Sequence, residues 1–413
     1  MNSPLSALTL FEPEEVRRGA HLVLDLAVEG KLAHVGVDLA RLKEALLTVL
    51  ETTKENYPDF QIPPHGIWRD FEAEGIDRWG ALASARGFET AEEMLAAAAD
   101  LAVIGTFMKT RHPLGWTYED PMTGTLAQGR QASALAAFHM FAAGSFSGEM
   151  ADPYRVDAET LIRFETDELS SGMQWDAKQE TGLLKDMQRH LKRLGEALAL
   201  RSDLFGEGDE TRPGLLATRL ARESEGAVDA GTVLDRLLEA LAPVWEGGAE
   251  AGEIALGDSF AHSGLPDQEA GTIVPFHLAA QEMVYSMVEP FAWAGLEVSR
   301  LEALTAPSDD THAALFLRAG VLEILTDGEP LSPKAAEDRM VELRAVASAL
   351  TDRLAGLLCR ELEVPAEQLP LTCILEGGTR RAGDRILQQD GEDLKKLGKY
   401  LNPGSVFWLP FGA

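Results

Sequence analysis

Apolar residues recur every three or four positions along most of the chain. This spacing predicts amphipathic helices, because residues placed in this way share one face of a helix. The segments that carry it are 14–29, 38–55, 90–104, 131–143, 180–199, 233–245, 335–361 and 391–401. Ser332 and Pro333 precede the seventh segment and are typical of a helix N-terminus. We therefore expect a mainly α fold, a large helical globule formed by one chain.

Strand signals are sparse. Residues 115–127 alternate around a Pro-Met-Thr-Gly turn and predict a short β-hairpin, and residues 406–409 are a candidate for another short strand. The acidic, glycine-rich segment 205–214 is the best candidate for a boundary between two lobes, 1–205 and 215–413. Both lobes would belong to one domain that spans 1–413. The sequence shows no internal repeat and no low-complexity tract.

Residues 274–295, VPFHLAAQEMVYSMVEPFAWAG, predict a helix that is apolar nearly all round. At about 100° per residue one stripe of it is polar and ionisable, and its members are His277, Gln281, Glu282, Tyr285 and Glu289. A helix with so little solvated surface is usually buried, and buried carboxylates need partners. Two interpretations are open: a site for a polar small molecule, or a structural hydrogen-bond network inside a helical core.

Residues 63–79 bring a histidine, two tryptophans and two arginines close together in sequence. His65 follows a Pro-Pro turn, and Trp68 and Arg69 come three and four positions after it. Such a group can form an aromatic and cationic wall for a planar ligand. The alternative is that Trp68 and Trp79 anchor a loop onto the core.

Residues 376–385 suggest an anion site. Glu376, Gly377, Gly378 and Thr379 precede an arginine-rich run that is compatible with a helix. Free backbone N–H groups at a helix N-terminus attract anions, and nearby arginines add to the effect. Gly-Gly turns are common, so an ordinary turn is the alternative, and the spacing fits neither a Walker-type loop nor a dinucleotide-binding loop.

Charge and composition narrow the function further. The 413 residues are 45% hydrophobic and 25% charged, with a formal net charge of −30. The average field therefore repels nucleic acids and anionic membranes. Cys359 and Cys373 fit neither a disulfide framework nor a zinc pattern, and no metalloprotease or serine-hydrolase motif is present. We expect no metal and no cofactor. Because no signal peptide or membrane-spanning run is visible, we expect a cytoplasmic location.

Five segments together resemble the uracil catabolism protein family of fungal uracil degradation and of many bacteria, long described as of unknown function. The resemblance covers almost the whole chain, and the segments are 56–79, 138–157, 256–263, 274–295 and 369–383. They match the family's Asn-Tyr-Pro to Phe-Glu-Ala motif, its Gly-x-Phe-Ser and Asp-Pro-x-Arg-Val-Asp run, and the segments that follow in register. The chain is identified as a member of this family.

The departures from the family pattern are concentrated in four places. Residues 109–113 (KTRHP) replace Asp-Ala-Gly-Ala-Gly, residues 129–132 replace Arg-Ser-Glu-Gly, residues 308–314 replace Pro-Glu-Tyr-Arg-Asn-Gly-Gly, and Arg380 replaces a tryptophan. Lys109 reverses the charge of an aspartate, so an acid or base role there does not carry over. The chain is therefore a divergent member of the family.

The resemblance implies a role in uracil breakdown, with hydrolysis of the C–N glycosidic bond of a ribosylurea- or nucleotide-like intermediate as the candidate reaction. The residues it points to are Glu289 and Glu282 as catalytic carboxylates, Tyr285 as a catalytic orienting group, and His65, Trp68, Arg69, His277, Gln281, Glu376, Gly377, Gly378 and Thr379 as substrate-binding groups. The competing hypothesis is a catalytically altered paralogue that binds a small metabolite or a protein partner without turnover. A homo-oligomer is compatible with both.

Overall fold

The computed structural model describes residues 8–265, 272–389 and 391–411, and within the last range the side chains of 391–393 and 395 are excepted. Helices dominate, as predicted, and the longest have the amphipathic spacing seen in the sequence. In chain order they are α1 Pro13–Val28, α2 Leu42–Asn56, α3 Trp68–Phe71, α4 Arg78–Arg86, α5 Ala91–Phe107, α6 Gly129–Ala142, α7 Ala158–Ile162, α8 Thr166–Met173, α9 Thr181–Leu200, α10 Ser202–Phe205, α11 Gly214–Glu223, α12 Ala230–Leu241, α13 Leu278–Trp293, α14 Asp310–Arg318, α15 Pro333–Glu361, α16 Leu371–Ile374, α17 Arg380–Gln389 and α18 Gly391–Leu401.

Short 3₁₀ turns and strands connect the helices. The 3₁₀ turns are Thr9–Phe11, Leu39–Arg41, Ala73–Gly75, Ala242–Val244 and Leu301–Ala303. The strands are β1 Val35–Val37, β2 Thr117–Glu119, β3 Leu126–Gln128, β4 Gly206–Glu207, β5 Glu210–Thr211, β6 Ala227–Asp229, β7 Glu250–Ala251, β8 Ile254–Ala255, β9 Ser259–Ala261, β10 Ile273–Pro275, β11 Glu297–Ser299 and β12 Leu322–Ile324.

In the described part of the chain the strands pair as two-stranded ladders. Five described pairs are antiparallel, β1 with β12, β2 with β3, β4 with β5, β7 with β8 and β9 with β10, whereas β6 and β11 run parallel. The β2–β3 pair is the hairpin predicted for residues 115–127. The strand predicted for 406–409 is wrong: Asn402 instead holds a non-regular segment, its side-chain amide donating to the carbonyls of Val406 and Phe411.

Local sequence explains where the main helices begin. Thr90 accepts a hydrogen bond from the backbone N–H of Glu93 at the start of α5, and Ser332 accepts one from Ala335 at the start of α15. Such side chains satisfy backbone donors that the first turn leaves free. Both caps lie at the boundaries that the sequence predicted.

Two long helices form the centre of the core. In α5 every residue from Leu95 to Phe107 is buried, so the helix is surrounded by protein, with α13 on one side and α11 on another. The helix α15 is buried over most of its length and packs on α1. A helix that is apolar all round is expected in such a position.

The helix predicted for 274–295 begins later than expected, at Leu278. Residues 273–275 form β10 instead and pair with β9. His277 then turns the chain, with a left-handed φ of 49°. Asp258 accepts the Leu278 N–H and also forms a double hydrogen bond with Arg344, so a buried ion pair fixes the helix start.

Candidate functional site

The polar stripe of α13 divides into two rows with different surroundings. In the first row, the side-chain amide of Gln281 donates to Phe276 O and Thr305 Oγ1, and its oxygen accepts the Thr305 N–H at 2.8 Å. The Tyr285 hydroxyl donates to Thr305 O at 3.0 Å. All of these groups are buried. This row is a closed hydrogen-bond network that holds the 301–305 turn against α13.

The side chain of His277 makes a separate buried contact. Its side chain is buried, and Nε2 lies 2.8 Å from Leu10 O. Burial lowers the pKa of the imidazole, and the hydrogen bond to Leu10 only partly opposes this. His277, Gln281 and Tyr285 are not among the residues lining the cavity described below, so their predicted roles toward a ligand find no support in this geometry.

The second row of the stripe contains Glu282, which faces His65 across the interior. His65 Nε2 lies 2.9 Å from Glu282 Oε1, and His65 Nδ1 lies 3.8 Å from Glu376 Oε2. Burial alone would lower the pKa of His65, but the charge and hydrogen bond of Glu282 outweigh it and raise that pKa. Burial would raise the pKa of Glu282, yet the His65 and Lys109 charges lower it to about 2. Both shifts favour the charged forms, an imidazolium beside a carboxylate.

Lys109 extends this pair into a row of alternating charges. Its Nζ lies 3.9 Å from Glu282 Oε2 and 2.9 Å from Asp70 Oδ2. Asp70 Oδ1 in turn accepts a hydrogen bond from Arg380 at 2.7 Å. Burial opposes ionisation of Asp70, but Arg380 and Lys109 hold the pKa of its carboxyl well below the usual value. Four charged groups thus meet here: Asp70 from α3, Glu282 from α13, Arg380 from α17 and Lys109 from the end of α5.

The row continues through α17 to α6 and α14. Asp384 lies 3.8 Å from Arg380 and 3.7 Å from Arg130. Arg130 reaches Asp309 at 3.4 Å and also binds Asp310. Asp309 is the N-cap of α14 and accepts from the α14 backbone. Each carboxylate is therefore flanked by at least one cation, as buried charges require.

A histidine closes this end of the row. His312 is fully buried, with Nδ1 2.6 Å from Asp309 and Nε2 3.1 Å from the hydroxyl of Thr379. Burial would raise the pKa of Asp309, but His312 and Arg130 lower it. Thr379, predicted as a substrate ligand, thus contacts a structural histidine.

A small cavity lies along this row of charges. The residues that line it are Thr106, Lys109, Arg130, Leu278, Ala279, Glu282, Asp309, Arg380, Trp408, Leu409 and Pro410. Three of them are cations and two are carboxylates. Its volume is about 40 Å³, which is room for a few water molecules. The C-terminal segment Trp408 to Pro410 forms one wall, so displacement of that segment would enlarge the cavity.

Arg69 and Glu289 lie in a separate cleft of about 380 Å³. Arg69 Nη2 donates to both oxygens of Glu289, at 2.7 and 2.8 Å. The rings of Trp79 and Trp293 stack at 5.9 Å, and Trp68 packs edge-on against Trp293. Burial raises the pKa of Glu289 to about 6, although Arg69 opposes the rise. Thus Glu282 and Glu289, the two predicted carboxylate candidates, face two different spaces.

The Gly377–Gly378 pair does not lie at a helix N-terminus, and that structural prediction is wrong. Residues Leu375–Thr379 form a π-turn between α16 and α17, within one continuous helical path. A Cβ on Gly378 would lie 2.5 Å from Val49 Cγ1, and one on Gly377 would lie 2.8 Å from Ile62 Cδ1. The glycines therefore allow close packing against α2 and its neighbouring loop, which is a use of glycine that needs no anion.

Glu376 is buried beside these glycines. Its Oε1 accepts from Arg381 at 2.6 Å and from Tyr57 at 3.2 Å. Burial would raise the pKa of Glu376, but His65, Arg380 and Arg381 lower it. Glu376 does not line the cavity. It contacts His65, which in turn pairs with Glu282.

Several residues of the cavity were not among the predicted site residues, although they lie at positions that depart from the family pattern. Lys109, Arg130, Asp309 and Arg380 come from the four departing segments, and all four line the cavity with Glu282. Asp70 lay inside the quoted motif and was passed over. Charged residues at departing positions were therefore the signal that could have located the site.

Within residues 8–265, 272–389 and 391–411 no group of three or more His, Cys, Asp or Glu side chains has the arrangement of a metal site. No helix in the described part of the chain combines the length and apolarity needed to cross a membrane.

Comparison with known proteins places the chain in a family. A family model described as "Protein of unknown function (DUF1688)" matches residues 9–395. Uracil catabolism protein 4 of Lachancea kluyveri is 24% identical over 403 residues, which cover 89% of this chain and 90% of that protein. Protein urg3 of Schizosaccharomyces pombe is 25% identical over 395 residues, 92% of this chain and 93% of that protein. The predicted membership is confirmed, and the chain belongs to the DUF1688 family.

Proposed function

We propose that the chain acts in uracil catabolism on a small nucleoside- or nucleotide-like intermediate, and that the cavity beside Glu282 is its site. One observation carries the proposal: an ionised carboxylate lies in the same cavity as Lys109, Arg130 and Arg380. Such a mixture suits a ligand that combines a developing positive centre with an anionic or carbonyl group. The name of a relative, Uracil catabolism protein 4, supports the pathway.

The reaction we propose is hydrolysis of the C–N glycosidic bond of a ribosylurea-type intermediate. Water adds to the anomeric carbon, the bonding electrons and one proton go to the urea nitrogen, and the products are ribose (or its phosphate) and urea. The transition state resembles an oxocarbenium ion. In this scheme Glu282 stabilises the positive carbon, Lys109 donates a proton to the departing urea, and Arg130 with Arg380 holds the anionic end.

Substrate entry requires movement of the C-terminal segment. A volume of about 40 Å³ excludes a sugar, so a ribosylurea enters only when Trp408 to Pro410 moves. That segment is held by Trp408 Nε1 donating to Glu246 O and by Asn402 donating to Leu409 O. The buried side chains of Trp408 and Leu409 also anchor it, so opening costs free energy that ligand binding must supply.

Binding without turnover is the second candidate, and one observation favours it. A general base works best with a pKa near the working pH, whereas Glu282 has a pKa of about 2 and the pKa of Asp309 is also lowered. The cavity lining thus offers a weak base for activating water. A binding protein would need no such base.

Urea release separates the two candidates. The protein is incubated with ribosylurea 5′-phosphate, ribosylurea or uridine monophosphate, and binding and urea are measured in parallel. Hydrolysis is expected to release urea from a ribosylurea substrate, with loss of turnover in Glu282→Gln and retention in Glu289→Gln, its matched control in the other cleft. Binding without urea would support the second candidate. If the protein neither binds these compounds nor releases urea, both candidates are refuted.

A further inference from the structure

A second, larger cleft lies on another side of the molecule, between the first turns of α15 and the end of α18. Its volume is about 740 Å³, within the range of small-molecule sites. The walls include the 328–331 loop and the 402–406 part of the C-terminal segment. The cleft shares Leu409 of the C-terminal segment with the Glu282 cavity, but none of the charged residues proposed above for uracil catabolism lines it.

Arg339 lines this cleft and is unusual among the buried arginines. It is 5% exposed, and no carboxylate oxygen of the described residues lies within 4.0 Å of it. Its guanidinium makes one hydrogen bond, from Nη1 to Thr326 O at 3.1 Å, and packs over the Tyr400 ring at 3.6 Å from the centroid. The Nε–H group is buried and has no acceptor.

This arrangement differs from that of other buried arginines. Arg344, for example, forms a double hydrogen bond with Asp258. Buried charges are normally paired, so a guanidinium with unused donors on the wall of a large cleft is a feature that an anionic group would complete. Its planar set of donors matches the oxygens of a phosphate.

The rest of the described lining adds positive charge. Lys396 and Lys399 are exposed on α18; Lys396 lies 3.6 Å from Asp327, which is outside the lining, and Lys399 has no ion pair with a described residue. Two carboxylates line the cleft: Glu337 is bound by Lys334 at 2.7 Å, and Glu329 is exposed. The lining therefore has three cations and two carboxylates in a protein of net charge −30. Cations without a close carboxylate partner, such as Lys399, attract anions.

We propose that this cleft is a binding site for a small phosphate-bearing molecule. Arg339 grips the phosphate oxygens with donors that it does not use internally, while Lys396 and Lys399 attract and screen its charge from the opposite wall. The volume leaves room for an organic part beyond the phosphate group.

Isothermal titration calorimetry with inorganic phosphate and with pyrophosphate tests the proposal. We expect saturable binding at one site, weakened by added salt. Arg339→Met is expected to weaken it about tenfold or more, since charge-assisted bonds are lost. Lys396→Gln/Lys399→Gln should weaken it several-fold because both charges are on exposed side chains.

A matched control changes Lys185 and Lys192, two exposed lysines of α9 outside the cleft, to glutamine and is expected to bind as the unaltered protein does. If Arg339→Met does not fold by circular dichroism, the α18 lysine variant decides. Absence of saturable binding overturns the proposal. So does binding that the cleft variants leave unchanged, or that Arg130→Gln abolishes, since the ion would then occupy the Glu282 cavity.

Discussion

Replacing Glu282 by glutamine removes the charge that joins His65 to Lys109 while keeping the side chain's shape. The carboxyl is largely buried, with 13% of its side chain exposed. In the folded protein its pKa is about 2, against an ordinary value of 4.5. That difference corresponds to about 3 kcal/mol of folding free energy, which agrees with the roughly 3–5 kcal/mol lost when one partner of a buried pair is removed.

The loss has a definite pH dependence. Because the folded-state pKa of Glu282 is lowered, its stabilising contribution is fully present above pH 4.5 and is lost as the pH falls toward 2. The free energy gap between the native protein and Glu282→Gln should therefore be about 3 kcal/mol at pH 7. It should narrow by about 1 kcal/mol between pH 5 and pH 3.5.

Urea unfolding followed by tryptophan fluorescence at several pH values measures this gap. Glu289→Gln is the matched control on the same helix. Burial raises the pKa of the Glu289 carboxyl to about 6, although Arg69 opposes the rise. Ionisation of Glu289 at pH 7 therefore disfavours folding, and removing this charge should cost little stability. A gap below about 1 kcal/mol at pH 7, or one that stays constant down to pH 3.5, would refute the assigned role of Glu282.

Three further substitutions probe other parts of the structure. Gly378→Ala should destabilise by about 1–3 kcal/mol, because its Cβ would lie 2.5 Å from Val49 Cγ1; an unchanged urea midpoint would contradict close packing. Tyr285→Phe should lose about 1–2 kcal/mol with one buried hydrogen bond and keep any turnover; abolished turnover in a folded variant would make the tyrosine catalytic. Asn402→Ala removes three amide hydrogen bonds and should accelerate hydrogen exchange at the Trp408 indole, measured by NMR; an unchanged rate would contradict its role as an anchor.

The helices could be predicted because apolar periodicity is a local property. The segment predicted for 335–361 became Pro333–Glu361 and that for 180–199 became Thr181–Leu200, since the spacing and the caps lie within the sequence of each helix. The strand predicted for residues 406–409 was wrong for the same reason. Their apolar content suits a strand, but no described strand lies beside them, and the Asn402 side chain supplies the hydrogen bonds instead.

The site could be predicted only in part. His65 and Glu282 were both selected, yet their pairing spans 217 positions and depends on how α13 packs, which no local pattern encodes. One stripe of a helix can also face two neighbouring environments. Tyr285 and Glu282 were both predicted as catalytic residues, but Tyr285 lies in a closed hydrogen-bond network and Glu282 lines the cavity. Glycine is ambiguous in a further way. It occurs both where a backbone N–H must be exposed to a ligand and where two elements pack too closely for a side chain.

The π-turn at Leu375–Thr379 sets the rotation of everything after it. Such a turn holds one residue more than the regular α-helical repeat. If the same residues formed a regular α-helix here, each later side chain would rotate by about 100°. Arg380 would then leave Asp70, and its charge would leave the cavity, with no change in the sequence. The helix type at this turn is thus a determinant of the site, and a relative that is one residue shorter here and forms a regular α-helix would present the same later side chains to a ligand.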